Sequence, residues 1–212
     1  MLDKLKDQVS ETAVRIYRTG LTWGPGGNVS AFDPNSGYVV ITPSGIALEA
    51  VTPKNLSVID LDGNPVEPGL KPSSETPMHT RVYRDLGERF KGLVHTHSTA
   101  ATTLSCLHMN LPPIHYLMGG VGQEVPLALY ATYGTAEMGD RVIEVIGQNK
   151  AVLLANHGVL AGGADVLDAA WVAQAVEYVA QLYLKATSIG QPRTLAHDEI
   201  QRLQKRFETY GQ

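Results

Sequence analysis

The segment from Val166 to about Ile189 most constrains the fold. Ala169, Val172, Ala173, Val176, Val179, Ala180, Leu182, Tyr183 and Leu184 make a helix there apolar around much of its surface. Such a helix is buried within a domain or in a subunit contact, so other layers must cover it. The rest of the chain supplies them. Tyr38–Ile41, Gly92–His97, Val125–Tyr130 and Ala151–Ala155 are apolar or β-branched runs of strand length. Val58–Leu61 and Pro65–Val66 flank Asp62-Gly63-Asn64, a hairpin signal. Apolar spacing predicts further helices over 2–17 with a stop at Gly20, over 76–89, from Ser98 towards Met109, over 135–148 and over 197–207. The stretch 23–32 carries Gly24, Pro25, Gly26 and Gly27 and is predicted to form a loop with no regular element. There is no internal repeat, low-complexity tract or linker. Residues 1–212 therefore read as one α/β domain.

Composition excludes several function classes. Over 212 residues, 43% are hydrophobic and 18% charged, with a formal net charge of −4, which argues against disorder. A general nucleic-acid binder needs a basic footprint that this balance lacks. No stretch approaches the ~18 apolar residues of a membrane span. The opening MLDKLKDQVSE has no apolar signal segment, so a cytoplasmic location is expected. Cys106 is the single cysteine, which excludes an intrachain disulfide. It lies on an apolar helix and is expected to be a core thiol.

The chemistry-bearing residues are histidines and one carboxylate. His95 and His97 are two apart on a predicted strand, so both imidazoles leave the same face. His157 follows another strand and precedes a glycine. Three neutral imidazoles with an open position are the pattern of catalytic zinc. Singly, each motif reads equally well as polar residues at a strand end. Glu75 follows Ser73 and Ser74 in a loop, an unusual setting for a merely solvated acid. His79, four residues on, lies on the same helix face and is expected to be structural. Gly26-Gly27-Asn28-Val29-Ser30, Thr42-Pro43-Ser44-Gly45 and Ser73-Ser74 combine flexible backbone with hydroxyl and amide donors, which can hold a phosphate without Lys or Arg. Each alone is equally a turn.

Taken in order, Gly27-Asn-Val-Ser30, Thr42-Pro-Ser-Gly45, Pro72-Ser-Ser-Glu75, His95-Thr-His97, Ile114-His-Tyr116, Tyr130-Ala-Thr-Tyr-Gly134, Asn156-His-Gly158 and the ending Phe207-Glu-Thr-Tyr-Gly211 resemble the class II aldolase/adducin family, most closely its sugar-phosphate aldolases. The resemblance implies a three-layer α/β/α sandwich around a mostly antiparallel sheet. It implies one divalent metal per subunit, Zn2+ before Mn2+ or Co2+, on His95, His97, His157 and Glu75. Glu75 would also be the acid/base. Gly27, Asn28, Ser44, Gly45, Ser73 and Ser74 would hold the substrate phosphate. Tyr116 would donate a proton in a neighbouring subunit's site, and Tyr133 and Tyr210 would line the aldehyde pocket. The implied assembly is a C4 homotetramer. The implied reaction is cleavage of a ketose 1-phosphate, of the L-fuculose or 5-deoxyribulose type, into dihydroxyacetone phosphate and lactaldehyde or acetaldehyde. The family also holds ribulose-phosphate 4-epimerases, oxo-tetronate-phosphate decarboxylases and non-catalytic adducin-like interaction modules. Glu75 and Ile114-His115-Tyr116 argue against the epimerase, Ser74 against the decarboxylase, and the intact histidines and Glu75 against the module.

Overall fold

The computed structural model describes residues 2–208. Seven strands form one sheet: β1 (Asn28–Asp33), β2 (Tyr38–Ile41), β3 (Ser57–Ile59), β4 (Gly92–Thr96), β5 (Leu127–Ala128), β6 (Ala151–Leu154) and β7 (Gly158–Gly163). Their order is β3-β2-β1-β4-β7-β6-β5. Every neighbouring pair is antiparallel except β5 with β6.

Strand alternation sorts the side chains into two cores. Val40, Val94, Leu153 and Val159 face the core shared with helices α1 (Leu2–Arg18), α3 (Thr99–Cys106) and α5 (Val166–Thr187). Val39, Leu93, Val152 and Leu160 face the core shared with α2 (Thr76–Leu86) and α4 (Ala136–Ile146). The result is the expected three-layer α/β/α sandwich around a mostly antiparallel sheet. Helix α5 is buried along most of its length, as its composition requires. Its N-terminus is capped by Asp165, whose Oδ1 accepts from the N–H groups of Leu167 and Asp168 at 2.9 and 2.8 Å. Helix α6 (His197–Phe207) packs on the 3-10 turn Tyr116–Gly120. Among the described residues no helix is long and apolar enough to cross a membrane.

Several local expectations are corrected. The loop predicted over 23–32 ends at Gly27, and β1 starts at Asn28, hydrogen-bonded between β2 and β4. Strand β7 has the glycine-containing sequence GVLAGG, which carries no strand signal, yet it is wholly buried between β4 and β6. The strand predicted over Val125–Tyr130 shrinks to Leu127–Ala128: Pro126 has no N–H for a ladder, and Val125 instead pairs in a single bridge with Leu111. The hairpin turn at Asp62-Gly63 forms, but its second arm is reduced to one bridge between Ile59 and Pro65. Helices α2 and α3 stop at Leu86 and Cys106, short of Arg89 and Met109. Cys106 is exposed and not a core thiol, because the inner face of α3 is made by Ala100, Ala101, Leu104 and Ser105.

Candidate active site

The site is built at the end of β4. His95 shares the face of Leu93, towards α2 and α4. His97 lies one residue beyond the strand. His157 sits in the tight turn between β6 and β7, where Asn156 takes a φ of +55°. One ring nitrogen from each of the three histidines lies within 4.8 Å of the others. The Nε2 atoms of His95 and His97 are 3.0 Å apart. His95 Nδ1 donates to the Val159 carbonyl at 3.0 Å, so when the ring is neutral its Nε2 lone pair faces the cluster, and when it is protonated Nε2 donates to Glu75.

Glu75 stands at the N-terminus of α2, buried. Its Oε2 is 3.1 Å from His95 Nε2, and its Oε1 is 3.5 Å from His157 Nε2. Oε1 is buried without a hydrogen-bond partner. Burial alone would raise the Glu75 pKa. The charge and hydrogen bond of His95, then His157 and the Asn28 amide, outweigh it and hold the carboxyl well below the ordinary range. Burial disfavours the His95 cation, and Glu75 more than offsets it, so His95 is raised. Burial, with the neighbouring histidines, pushes His97 down to about 3 and His157 down to about 4. Both are therefore neutral imidazoles at neutral pH. Three imidazole nitrogens beside an unpartnered buried carboxylate oxygen are an electron-rich set that fits a divalent cation.

Two glycines let the backbone close on this cluster. A Cβ at Gly26 would stand 2.8 Å from His97 Nδ1. One at Gly158 would stand 2.3 Å from the Thr96 carbonyl and 3.0 Å from His97 Cδ2. Behind Glu75 runs a buried hydrogen-bond chain. Asn28 Nδ2 donates to Glu75 Oε2 at 2.8 Å, and His79 Nε2 donates to Asn28 Oδ1 at 2.5 Å. Ser30 Oγ donates to His79 Nδ1 at 2.7 Å, and the Tyr83 hydroxyl donates to the Ser30 carbonyl at 3.0 Å. This needs a neutral His79, and burial, reinforced by His95, lowers its pKa to about 3. His79 thus orients Asn28, which in turn holds Glu75 as an acceptor.

A cleft of about 360 Å³ opens on this cluster. Gly27, Asn28, Ser44, Gly45, Ser73 and Ser74 all line it, with Glu75, His97, His157 and Tyr133. The loops are zipped together: Ser44 N–H donates to Lys71 O and Ser73 N–H to Thr42 O. Those two N–H groups are spent, whereas the hydroxyls of Ser44 and Ser73 keep a proton to offer. Asn28 has one side-chain N–H on Glu75 and a second to offer. Tyr133, 67% exposed, stands at the mouth. Tyr116 is half exposed on the 3-10 turn against α6, outside the cleft of its own chain. Tyr210 lies outside the described residues. Gly26 and Pro43, which lie in the segments expected to hold a phosphate, also line the cleft, as does Pro25, which the sequence marked only as part of a loop. For His79 the only signal was its spacing of four from Glu75.

The profile of the class II aldolase and adducin N-terminal domain matches residues 7–184. The 5-deoxy-D-ribulose 1-phosphate aldolase of Bacillus thuringiensis is 40% identical over 212 residues, covering 100% of this chain and 99% of the relative. The L-fuculose phosphate aldolase of Escherichia coli is 36% identical over 211 residues, 99% of this chain and 96% of the relative. The solved structure of an L-fuculose 1-phosphate aldolase superposes with a TM-score of 0.93 at 36% identity, over 97% of this chain and 96% of that one. The chain belongs to the class II aldolase and adducin family, and within it to the enzymes, the class II aldolases.

Proposed function

We propose that the protein is a divalent-cation-dependent aldolase that cleaves a ketose 1-phosphate between C3 and C4, releasing dihydroxyacetone phosphate and a short aldehyde. The observation that carries this reading is the juxtaposition of Glu75 with His95 and His157 at one wall of a cleft whose other wall is neutral phosphate donors. His95, His97 and His157 would hold the cation, zinc by preference, with manganese or cobalt compatible, and Glu75 would be its fourth ligand before substrate enters. A bound cation supplies Lewis-acid stabilisation of the charge left on the three-carbon fragment when the carbon–carbon bond breaks.

The chain's own residues do the rest. Gly27, Asn28, Ser44, Gly45, Ser73 and Ser74 bind the phosphate and fix the sugar's register. In the condensation direction Glu75 takes the proton from the hydroxymethyl carbon of dihydroxyacetone phosphate, and in cleavage it returns it. Tyr116, remote from its own chain's cleft, serves a neighbour's site in a homotetramer and gives a proton to the aldehyde oxygen. Tyr133 borders the aldehyde end. The relatives' names point to 5-deoxyribulose 1-phosphate and L-fuculose 1-phosphate as substrates, with acetaldehyde or lactaldehyde as the second product.

The test is a coupled assay for dihydroxyacetone phosphate with purified protein, zinc or manganese, and a panel of 1-phosphoketoses. Release that stops with chelator and returns with the cation is expected. The ratio of kcat/KM values then names the substrate. No release, with ribulose 5-phosphate epimerised instead, would replace the proposal.

A further inference from the structure

Outside the cleft two buried carboxylates, Asp33 and Glu177, have no part in the chemistry above, and Glu177 is the one that joins two helices. Glu177 lies on α5, 7% exposed, and among the described residues no cation pairs with it. Its oxygens accept from Ala100 N–H at 3.0 and 3.1 Å, from Ala101 N–H at 3.0 Å and from Gln181 Nε2 at 3.0 Å. Ala100 and Ala101 are in the first turn of α3, whose N–H groups have no partner within the helix. The residue placed to cap that turn, Ser98, makes no side-chain cap bond, and its hydroxyl is buried without a partner. The cap is therefore supplied from another helix, 77 residues away in sequence. A carboxylate also suits the positive end of the helix dipole.

His97 is the residue this arrangement bears on. It sits in the two-residue turn between the end of β4 at Thr96 and the start of α3 at Thr99. His95 is held by the sheet ladder and by its Nδ1 bond to Val159. His97 has no place in that ladder, and its backbone direction is set by the strand before it and the helix after it. We propose that Glu177 is a positioning residue for the histidine cluster: by gripping the N–H groups of Ala100 and Ala101 it fixes the first turn of α3 and so the direction in which His97 presents its imidazole. This rests on the reading of His95, His97 and His157 as a cation site.

Glu177→Gln keeps the side chain's size but removes the charge and replaces one acceptor oxygen by a donor, so Ala100 loses one of its two acceptors and either Ala101 or Gln181 loses its bond to this side chain. The measurement is zinc affinity of the full chain, by competition with a chromophoric chelator, for wild type, Glu177→Gln and Asp165→Ala. The last variant weakens a helix cap of the same kind at the start of α5, away from the histidines. Glu177→Gln is expected to bind zinc roughly tenfold more weakly, the scale of losing a supporting contact to a ligand. Asp165→Ala removes the oxygen that accepts both cap bonds and is expected to lose thermal stability with zinc affinity unchanged. In cation-free protein, amide exchange over residues 97–106 should quicken in Glu177→Gln alone. Glu177→Asp keeps the charge and retracts it by one methylene; it covers the case in which Glu177→Gln does not fold, and should weaken zinc binding by a smaller factor. Wild type that binds no zinc would overturn the cation site and this proposal with it. Wild type that binds zinc, with every folded Glu177 variant at wild-type affinity, would overturn this proposal alone.

Discussion

The space beside Gly26 is already taken by the His97 ring, since an added methyl would come within 2.8 Å of Nδ1. Gly26 does not take the left-handed backbone conformation, so alanine there strains mainly this contact, with the Trp23 carbonyl next at 3.2 Å. Gly26→Ala should lower zinc affinity while leaving the melting temperature of the cation-free protein near wild type; equal zinc affinity, by chelator competition, would show that the ring has room to move. Glu75→Gln should keep zinc content and lower kcat by about 10²–10⁴-fold, the range of one positioned proton-transfer group. Metal analysis beside turnover checks both halves. At this scale the sequence was legible where the side chain itself declares its chemistry. His95 and His97 at a spacing of two, His157 before a glycine and Glu75 after two serines all come together. Asn28 was legible as a cleft residue, but not as the link between His79 and Glu75, because that link depends on how β1 lies across α2.

Elements were legible when their own pattern decided them. The apolar periodicity of α5 and the β-branched run of β2 suffice, and both are found within a few residues of their expected ends. Strands β1 and β7 were not legible, because glycine-rich or mixed sequence has no β pattern and the neighbouring strands impose the conformation. Helix α6 raises a related point. Its amphipathic pattern predicts a helix, but its docking depends on a turn far earlier in the chain, where Gly119 precedes Leu203 by 84 positions. A Cβ at Gly119 would stand 2.5 Å from Leu203 Cβ. Gly119→Ala should therefore push α6 off the 3-10 turn Tyr116–Gly120, at about 1–3 kcal/mol of overpacking. A melting temperature lowered by several degrees is expected, with faster proteolysis of the C-terminal segment; unchanged values for both would mean that α6 slides without loss.

For the whole molecule, acid is the informative stress. His79 is wholly buried, and burial first, then His95, lowers its pKa from 6.5 to about 3. Between those values the unfolded chain takes up a proton that the native chain refuses. The stability this group contributes is therefore complete above pH 6.5 and is lost as pH falls towards about 3. His79→Gln, in excess chelator, should show a shallower fall of the denaturation midpoint across that window; the wild-type slope would assign the acid sensitivity to other groups. The cleft has a further consequence for how the molecule meets its substrate. Among the described residues no lysine or arginine lines it, and the chain carries a net charge of −4. Capture of a phosphorylated sugar by hydroxyls and amides draws on short-range contacts, not on a long-range field, so dissolved salt has little to screen. KM for the phosphorylated substrate should change little as sodium chloride is raised at fixed pH and cation concentration. A site clamped by basic side chains would lose affinity steadily over the same titration, so the enzyme would keep its grip in cells whose ionic strength rises and falls.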